Sequence, residues 1–559
     1  MNTAKTALLT HQMALEVTGQ NIANVNNPNY SRQELLLESS FPIQPSGAPG
    51  LIGTGVRATT IIRRFDQFLE SQRTLNKSNT QYWDSRQDFL SRLEVVYNES
   101  RENGLNRLFD DFYLSFQDLA FNPNGLTERT NVEAQGRNVS IMFNKLSKDI
   151  TNLRIDLNTK IASSVDEVNR ITDEISKLNE KIHEVEIDNV TANDFRDKRE
   201  SLIRDLSAFA EVSVVEDSSK QVMVSLKNGR TLVIGQTAFK LSTKVRSDDA
   251  PAVDIMWADA SGATTSITSE IENGSLGSWI EMRDTEFLGY KDKLDILAGT
   301  FIRDVNNLHS AGYGLNGGTG QDFFTANTIK TTNGKDNTGT GAISSGSIVD
   351  PENVSLHKYE ITVTASGSTF DVKDLTTGTT TTGVSYTNAT NIPYFQSLGI
   401  NVQISAGAAV GDKFTAQAGA DAALNIKVDS AISSDLNKIA AGLTTDNGDG
   451  DNALKLSQLQ NDLKMNKTSP SDASGTATFS EYYNSLVGQV GVAGKAAISM
   501  FNQQEMINFE LDNRREQVSG VSLDEEMVNL IRFQYAYQAS AKMIGIIDEM
   551  LQTLIGLGR

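Results

Sequence analysis

SLDEEMVNLIRFQYAYQASAKMIGIIDEMLQTLIGL, residues 522–557, is the stretch on which the fold turns. Leu530, Gln534, Tyr537, Ala541, Ile544, Leu551 and Ile555 form one helical seam in it. Phe533, Ala536, Ile547, Met550 and Leu554, with Met543, form a second beside it, so the apolar stripe is wide enough to touch two neighbours. The other end of the chain answers it. Residues 1–26 place Ala4, Leu8, His11, Leu15, Thr18, Ile22 and Val25 at alternating spacings of four and three, a heptad seam that His11 and Thr18 weaken. Two extreme ends written alike predict helices that pack between molecules. With no neighbour to cover them in the free chain, both ends are expected to stay unordered until assembly supplies the missing surface.

The 559 residues between and including these ends are too many for one core, which predicts two to four domains. A formal charge of −20 and a pI near 4.8, with no basic run, argue against a nucleic-acid partner and against an anionic membrane surface. The absence of cysteine excludes disulfide scaffolds, thiolate zinc sites and a cysteine nucleophile. Residues 543–557 are apolar but short and interrupted by Asp548 and Glu549, so membrane insertion is not expected. The N-terminal residues lack the basic flank, unbroken apolar core and small-residue site of a cleaved secretory signal, which predicts either no export or export that leaves the N-terminus intact.

Between the ends, turn formers gather at residues 26–30. Pro42, Pro45 and Pro49 with Gly47, Gly50, Gly53 and Gly55 extend an irregular segment. From Arg57 the reading is helical, with helices over 75–96, 105–119 and 128–189. In the last of these, Ile150 through Val185 keep heptad spacing with one extra four-step at Leu157 to Ile161, a stutter in a coiled-coil-like rod. Residues 222–234 predict a hairpin closed by a two-residue Asn228-Gly229 turn, and 253–257 with Ser261-Gly262 predict a second. Helix returns over 276–308, 424–441 and 479–518. Gly, Ser and Thr make up more than half of residues 361–390, yet Ile361/Val363, Phe370/Val372, Ile400/Val402/Ile404 and Phe414 recur as alternating pairs, predicting strands around one core. The expected division is a terminal helical assembly domain (1–56 and 519–559), a mainly helical middle domain (57–330 and 418–518) and an inserted β domain (331–417).

Motifs that carry chemistry fail on context. Gly312-Tyr313-Gly314-Leu315-Asn316-Gly317 matches a dinucleotide fingerprint, but a helix precedes it and a loop follows, so a glycine-rich helix exit is expected. Glu180 and His183 form one half of a di-iron pattern that has no second half. The acidic run 446–451 lacks the glycine and glutamate of a calcium loop at the sixth and twelfth places, where Leu454 and Gln460 stand. No catalytic, cofactor or metal site is predicted, and the expectation is a protein that is not an enzyme.

Residues 21–33, NIANVNNPNYSRQ, with Asn21, Asn24, Pro28 and Tyr30 as a turn signature, resemble the N-terminal signature of bacterial flagellar axial proteins. Residues 518–527, VSGVSLDEEM, followed by Phe533-Gln534 and 536–542, resemble the C-terminus of the first hook-associated protein family, FlgK. Relatives often carry Thr and then Gly where this chain has Asn27 and Asn29, and a left-handed asparagine is expected to keep the turn. The resemblance implies an α+β multidomain fold: terminal helices in a coiled-coil-like inner domain, a helical-rod middle domain with β-hairpins, and an outer β domain. It implies a structural protein of the flagellum, exported by the type III apparatus, extracellular, and polymerising between hook and filament. Implied partners are further copies of the chain, the hook protein, the filament-side hook-associated protein and an export chaperone at the C-terminal helix. Its assembly interface would comprise Leu8, Leu15, Ile22 and Val25 with Leu530, Phe533, Tyr537, Ile544, Ile547, Leu551 and Leu554. The rival reading is a secreted coiled-coil adhesin or translocator that binds a surface through its β insert.

Overall fold

A computed structural model describes residues 2–44, 50–97, 104–187, 190–249, 251–467 and 472–557. Pro45, Gly47 and Pro49 of the irregular segment, and the end of the helix expected to reach 189, lie outside them.

The chain opens with α1 (Asn2–Ala23) and a two-stranded antiparallel arm, β1 (Gln33–Ser39) and β2 (Val56–Arg63), paired from Gln33↔Arg63 to Ser39↔Val56 with a register shift between Leu36 and Leu37. The arm corrects the helical reading from Arg57 onward. Its strands also run across the expected boundary at 56. The middle body follows: α2 (Gln67–Tyr97), α3 (Leu105–Phe121), the 61-residue α4 (Leu126–Glu186) and α5 (Asn193–Ser207). Next come β3 (Val212–Glu216), β4 (Val222–Leu226), β5 (Thr231–Ile234) and β6 (Thr237–Ala238) in one sheet. β7 (Leu241–Val245), β8 (Val253–Ala258) and β9 (Thr264–Ser266) form another. α6 (Gly274–Glu281) continues through a π-turn into α7 (Phe287–Ser310). The β4–β5 loop is longer than the two-residue turn predicted. Ser225 pairs with Thr231, and Gly229 alone takes a positive φ, +88°, so the glycine supplies the bend without Asn228.

Residues 161–182 of α4 keep the predicted burial period, but the seam faces α5 and the two small sheets, not another coil. Ile161, Val168, Ile175 and Leu178 share a core with Leu206, Val224, Val233 and Ile255. The earlier half of α4 joins a larger core in which Phe109, Phe112, Phe116, Phe143 and Phe301 are fully buried. α12 (Phe479–Ser519) begins at a capping box between Thr478 and Glu481 and lies antiparallel along α2, with Tyr483 beside Tyr97 at one end and Asp512 paired to Arg73 at 2.8 Å near the other.

The insert folds as expected. β10 (Ile329–Asn333), β11 (Ile343–Ile348), β12 (Lys358–Ala365), β13 (Thr369–Asp374) and β14 (Thr380–Ser385) precede the short α8 (Pro393–Gln396). β15 (Ile400–Ile404) and β16 (Lys413–Ala418) follow it. The larger sheet runs β10-β16-β12-β13-β14, with β11 and β15 paired separately. Every alternating pair picked out in the sequence is inside: Ile361, Val363, Phe370, Val372, Ile400, Val402, Ile404 and Phe414 are at most 1% exposed.

The helix predicted over 424–441 is instead broken into α9 (Ala422–Asn425), α10 (Ser430–Ser434) and a 3₁₀ turn at Leu436–Lys438. Asp429 and Asp435 each turn their carboxylate onto a backbone N–H two residues on, which starts a new cap and ends the previous helix. α11 (Asp451–Gln458) then leads to α12, and α13 (Leu523–Leu557) closes the chain.

Candidate functional site

α1 and α13 lie against each other. Asn21 bonds Glu526 at one end and His11 stacks on Phe533 further along, with ring centroids 6.4 Å apart, so the helices run antiparallel. This corrects the expectation that each end lacks a partner in the free chain: they cover one another. The antiparallel pairing puts α1's small residues against α13's large ones. On α1 the covered line is Ala4, Ala7, His11, Ala14, Thr18 and Asn21, again at spacings of three and four, and Val25 continues it in the turn that follows the helix. Four members of the predicted seam are kept. Leu8, Leu15 and Ile22 stand one residue round the helix and are half-buried at the flank, because alanines let the two backbones approach where leucines would hold them apart.

On α13 the covered line contains Glu526, Leu530, Phe533, Tyr537, Ser540, Ile544 and Ile547. The predicted residues Leu530, Phe533, Tyr537, Ile544 and Ile547 are therefore brought together against α1, whereas Leu551 and Leu554 are exposed at 42% and 69%. Length explains the difference. The 22 residues of α1 span about 33 Å and the 35 of α13 about 52 Å, so α13 outruns its partner beyond Ile547.

The pair is fastened to the body by polar groups at the turn signature. Asn21 is 1% exposed and uses its whole amide. Its Nδ2 donates to the Gln33 carbonyl at 2.9 Å and to Glu526 at 3.2 Å, while its Oδ1 accepts from the Tyr30 hydroxyl at 2.8 Å and the Gln33 N–H at 3.0 Å. Glu526, 2% exposed, also meets Arg32 Nε at 2.8 Å. Burial, then the nearby carboxylates Asp194, Asp197 and Glu526, pushes the Tyr30 hydroxyl well above the ordinary phenol range, so it remains a donor. Asp197 of α5 accepts from the Ser31 N–H at 2.8 Å, the Ser31 hydroxyl at 2.9 Å and Arg63 at 2.9 Å. Arg515, near the end of α12, donates to the Tyr30 carbonyl, and the Arg32 N–H donates to the Ser519 carbonyl at 2.9 Å. Five segments distant in sequence thus meet at one turn.

Asn24 donates to the Gln20 carbonyl at 3.0 Å and ends the helix, while Pro28 is exposed. Neither Asn27 nor Asn29 is left-handed, which corrects the expected device. Asn27 instead accepts the Asn29 N–H on its side chain at 3.1 Å.

The face of α13 away from α1 carries Val528, Ile531, Tyr535, Met543, Ile546, Met550 and Leu554, each between 47% and 69% exposed. With Ala539 and Leu557 they advance at three or four residues per step, a straight stripe over nearly the whole helix. Of these, only Met543, Met550 and Leu554 belong to the seams read from the sequence. A 3.6-residue period, not a heptad, would have found the rest.

The motifs set aside in the sequence are structural. An added Cβ at Gly312 would stand 2.2 Å from Asn452 and one at Gly314 2.4 Å from the Asn437 carbonyl, so these glycines allow close packing at a helix exit. Asp449 spends its carboxylate on the N–H groups of Leu443, Thr444 and Asp451. Glu180 is exposed and His183 half-buried on α4. Among the described residues no group of three metal-ligating side chains occurs, and no helix is long and apolar enough to cross a membrane.

Residues 90–324 match the family described as flagellar hook-associated protein FlgK helical domain, and residues 515–557 match flagellar basal body rod FlgEFG protein C-terminal. Over its full length the chain is 28% identical to flagellar hook-associated protein 1 of Bacillus subtilis, covering 98% of that protein. It is 26% identical to the Escherichia coli protein of the same name, covering 99% of it. The solved structure of the flagellar hook junction protein FlgK from Burkholderia pseudomallei superposes on 80% of this chain and 100% of its own, with a TM-score of 0.69 at 18% identity, a likeness of fold.

Proposed function

Because the chain belongs to the FlgK family of flagellar hook-associated proteins, we propose that it is the structural junction between hook and filament and works by polymerising through its terminal helix pair. The observation that carries this is the uncovered apolar stripe along α13, whose base is fastened to the body where Asn21 and Glu526 meet at the turn. Apolar surface of that extent is unfavourable in water at about 25 cal/mol per Å², and a further copy of the chain offers a cover at every step of a polymer. The assembly domain is the terminal helix pair with the β1–β2 arm, residues 1–63 with 519–559, the helical body forms the wall, and the β domain projects from it. Hook protein on one side and the filament-side hook-associated protein on the other are the neighbours this reading assigns. It places the protein outside the cell, delivered by the flagellar export route without cleavage of a signal peptide. Before assembly the same stripe needs a soluble partner, which is the role of an export chaperone bound at α13.

The relatives are structural proteins of the flagellum, and they do not favour the adhesin reading. The test adds purified chain to isolated hooks and images their ends. The parent chain is expected to grow a junction on the hook. Ile546→Asp with Met550→Asp, which changes only exposed positions, is expected to leave hooks bare while the monomer melts as before. Normal growth by that double variant would overturn the role of the stripe.

A further inference from the structure

Where the terminal pair joins the body, the turn, the start of α2, α5 and the end of α12 enclose a cavity of about 20 Å³, room for a single water. Besides Asp66, which caps α2 through the N–H groups of Phe68 and Leu69, three carboxylates line it and are unequally bonded. Asp197 holds both donors of Ser31, and Arg63 as well. Glu70 of α2 pairs with Arg73 at 2.9 Å and with Arg204. Glu200 of α5 accepts no hydrogen bond among the described residues, and its nearest cations are Arg63 at 3.7 Å and Arg199 at 3.9 Å.

The cations around Glu200 are bonded elsewhere. Arg63 of β2 reaches Asp197 at 2.9 Å and stacks on Phe65, and Arg199 donates to Asn179 and to the Lys220 carbonyl, each at 3.0 Å. On α5 itself Arg204 donates to Asn29 at 2.7 Å, and on α2 Arg73 reaches Asp512 at 2.8 Å. Arg515 of α12 bonds the Tyr30 carbonyl and Glu516. Glu216 of β3 stands behind the cluster, 3.7 Å from Arg199. Burial outweighs the pull of Arg63, Arg199 and Arg204, and the Glu70 charge adds to it, so the Glu200 carboxyl sits above its ordinary range.

We propose that Glu200 makes this joint a proton-sensitive hinge between the terminal helix pair and the body. A neutral Glu200 lets α5, the turn and Arg63 close on the cavity, whereas an ionised one leaves an unbonded charge there and loosens the joint. Raised above 4.5 in the folded chain, the group takes its proton before the unfolded chain does as pH falls. The closure it favours is therefore complete below about pH 4.5 and fades as pH rises through the raised value. No residue lining the cavity belongs to the phenylalanine core or to the insert, so the hinge opens without disturbing either.

Three amides report on the joint, because the bonds of Ser31 to Asp197, Arg32 to the Ser519 carbonyl and Arg64 to the Arg32 carbonyl all cross or border it. Their exchange is followed in the parent and in Glu200→Gln, which keeps the shape and removes the charge, with each rate corrected for the intrinsic effect of pH. At pH 7.5 the variant is expected to exchange about fivefold more slowly at these amides, and at pH 4.5 the difference is expected to fall below about twofold, with Val363 of the insert unchanged throughout. Exchange in the variant as fast as in the parent at pH 7.5, or faster, would overturn the hinge, and so would a slowing that persists undiminished at pH 4.5. The parent alone gives a second reading should the variant not fold. Protection of its joint amides relative to Val363 is expected to rise as pH falls from 7.5 to 5, and protection that stays flat or falls would overturn the proposal.

Discussion

Asn21 shows why a signature residue is kept for more than its turn. Alanine there would leave the Tyr30 hydroxyl and both backbone groups of Gln33 without their partner in a buried place. Each orphaned group costs about 1–3 kcal/mol, so Asn21→Ala is expected to lower the stability of the terminal pair by about 3 kcal/mol, read as faster amide exchange along α1 with exchange in the insert unchanged. The sequence made Asn21 visible as part of a motif but not as a junction, because its partner Glu526 lies 505 residues away. His309 was not legible at all. It is fully buried; Nε2 accepts the Ala440 N–H at 2.9 Å, which leaves Nδ1 to carry the proton toward the Gln321 carbonyl at 2.6 Å. Burial, outweighing the Gln321 bond, holds its pKa down at about 4 against 6.5 unfolded. The folded state therefore binds this proton later than the unfolded state. The stability His309 contributes is complete above pH 6.5 and is lost as pH falls to 4, by roughly 3 kcal/mol. The stability difference between the parent and His309→Gln, followed by denaturant unfolding from pH 7.5 to 4, is expected to shrink by that amount; a constant difference would contradict it.

Long helices were readable because burial on one face imposes a period that survives whatever packs against it. α3, α4 and α12 sit within a few residues of where the spacing placed them, apart from the predicted tail of α4 outside the described residues, and α2 ends where expected but starts about two helix turns earlier, at Gln67. What the period does not carry is the partner. The α4 seam met a sheet where a coil was expected, and α1 turned its alanines inward where its leucines were expected. The β1–β2 arm escaped because Leu35, Leu36 and Leu37 run consecutively and show no two-residue alternation. The two faces of α13 now separate by experiment. Phe533→Asp, on the α1 side, is expected to weaken the intramolecular pair by about 2 kcal/mol and to open both ends to protease in the monomer. Tyr535→Asp, two residues on and 69% exposed, is expected to leave the monomer's protection unchanged and to impair assembly. In the parent, cleavage should begin beyond Ile547, where α1 no longer reaches, while Leu15 stays protected. Equal effects of the two substitutions on monomer proteolysis would mean that α13 has no distinct inner and outer face.

Across the whole molecule the buried side chains of the described residues form three cores; in sequence the second and third are inserted within the first, Trp279 packs against both the first and the second, and the insert owns the third outright, its core residues all falling between Val354 and Ala418. Its two connections to the body leave side by side, since Ile329 pairs with Ala418. Removing residues 331–417 therefore asks the chain to close a gap that is already about one strand spacing wide, near 5 Å, which a short Gly/Ser bridge spans at little entropic cost. Of the bonds that tie the insert to the body, two are partly exposed ion pairs, Lys358 with Asp292 at 2.8 Å and Lys335 with Asp254 at 3.2 Å, and one is buried, Arg303 donating to the Val354 carbonyl at 3.0 Å. Asp421, just outside the excised segment, keeps its pair with Lys291 at 2.6 Å, and Asp295 keeps the N–H groups of Asp421 and Ala423, so the body's side of the joint retains its own fastening. The bridged chain is expected to fold, to lose only the insert's contribution to unfolding enthalpy, and to grow on isolated hooks at a rate within about threefold of the parent, a difference of under 1 kcal/mol. A bridged chain that melts as expected but fails to grow would move the essential interface of the polymer from the terminal helices to the β domain.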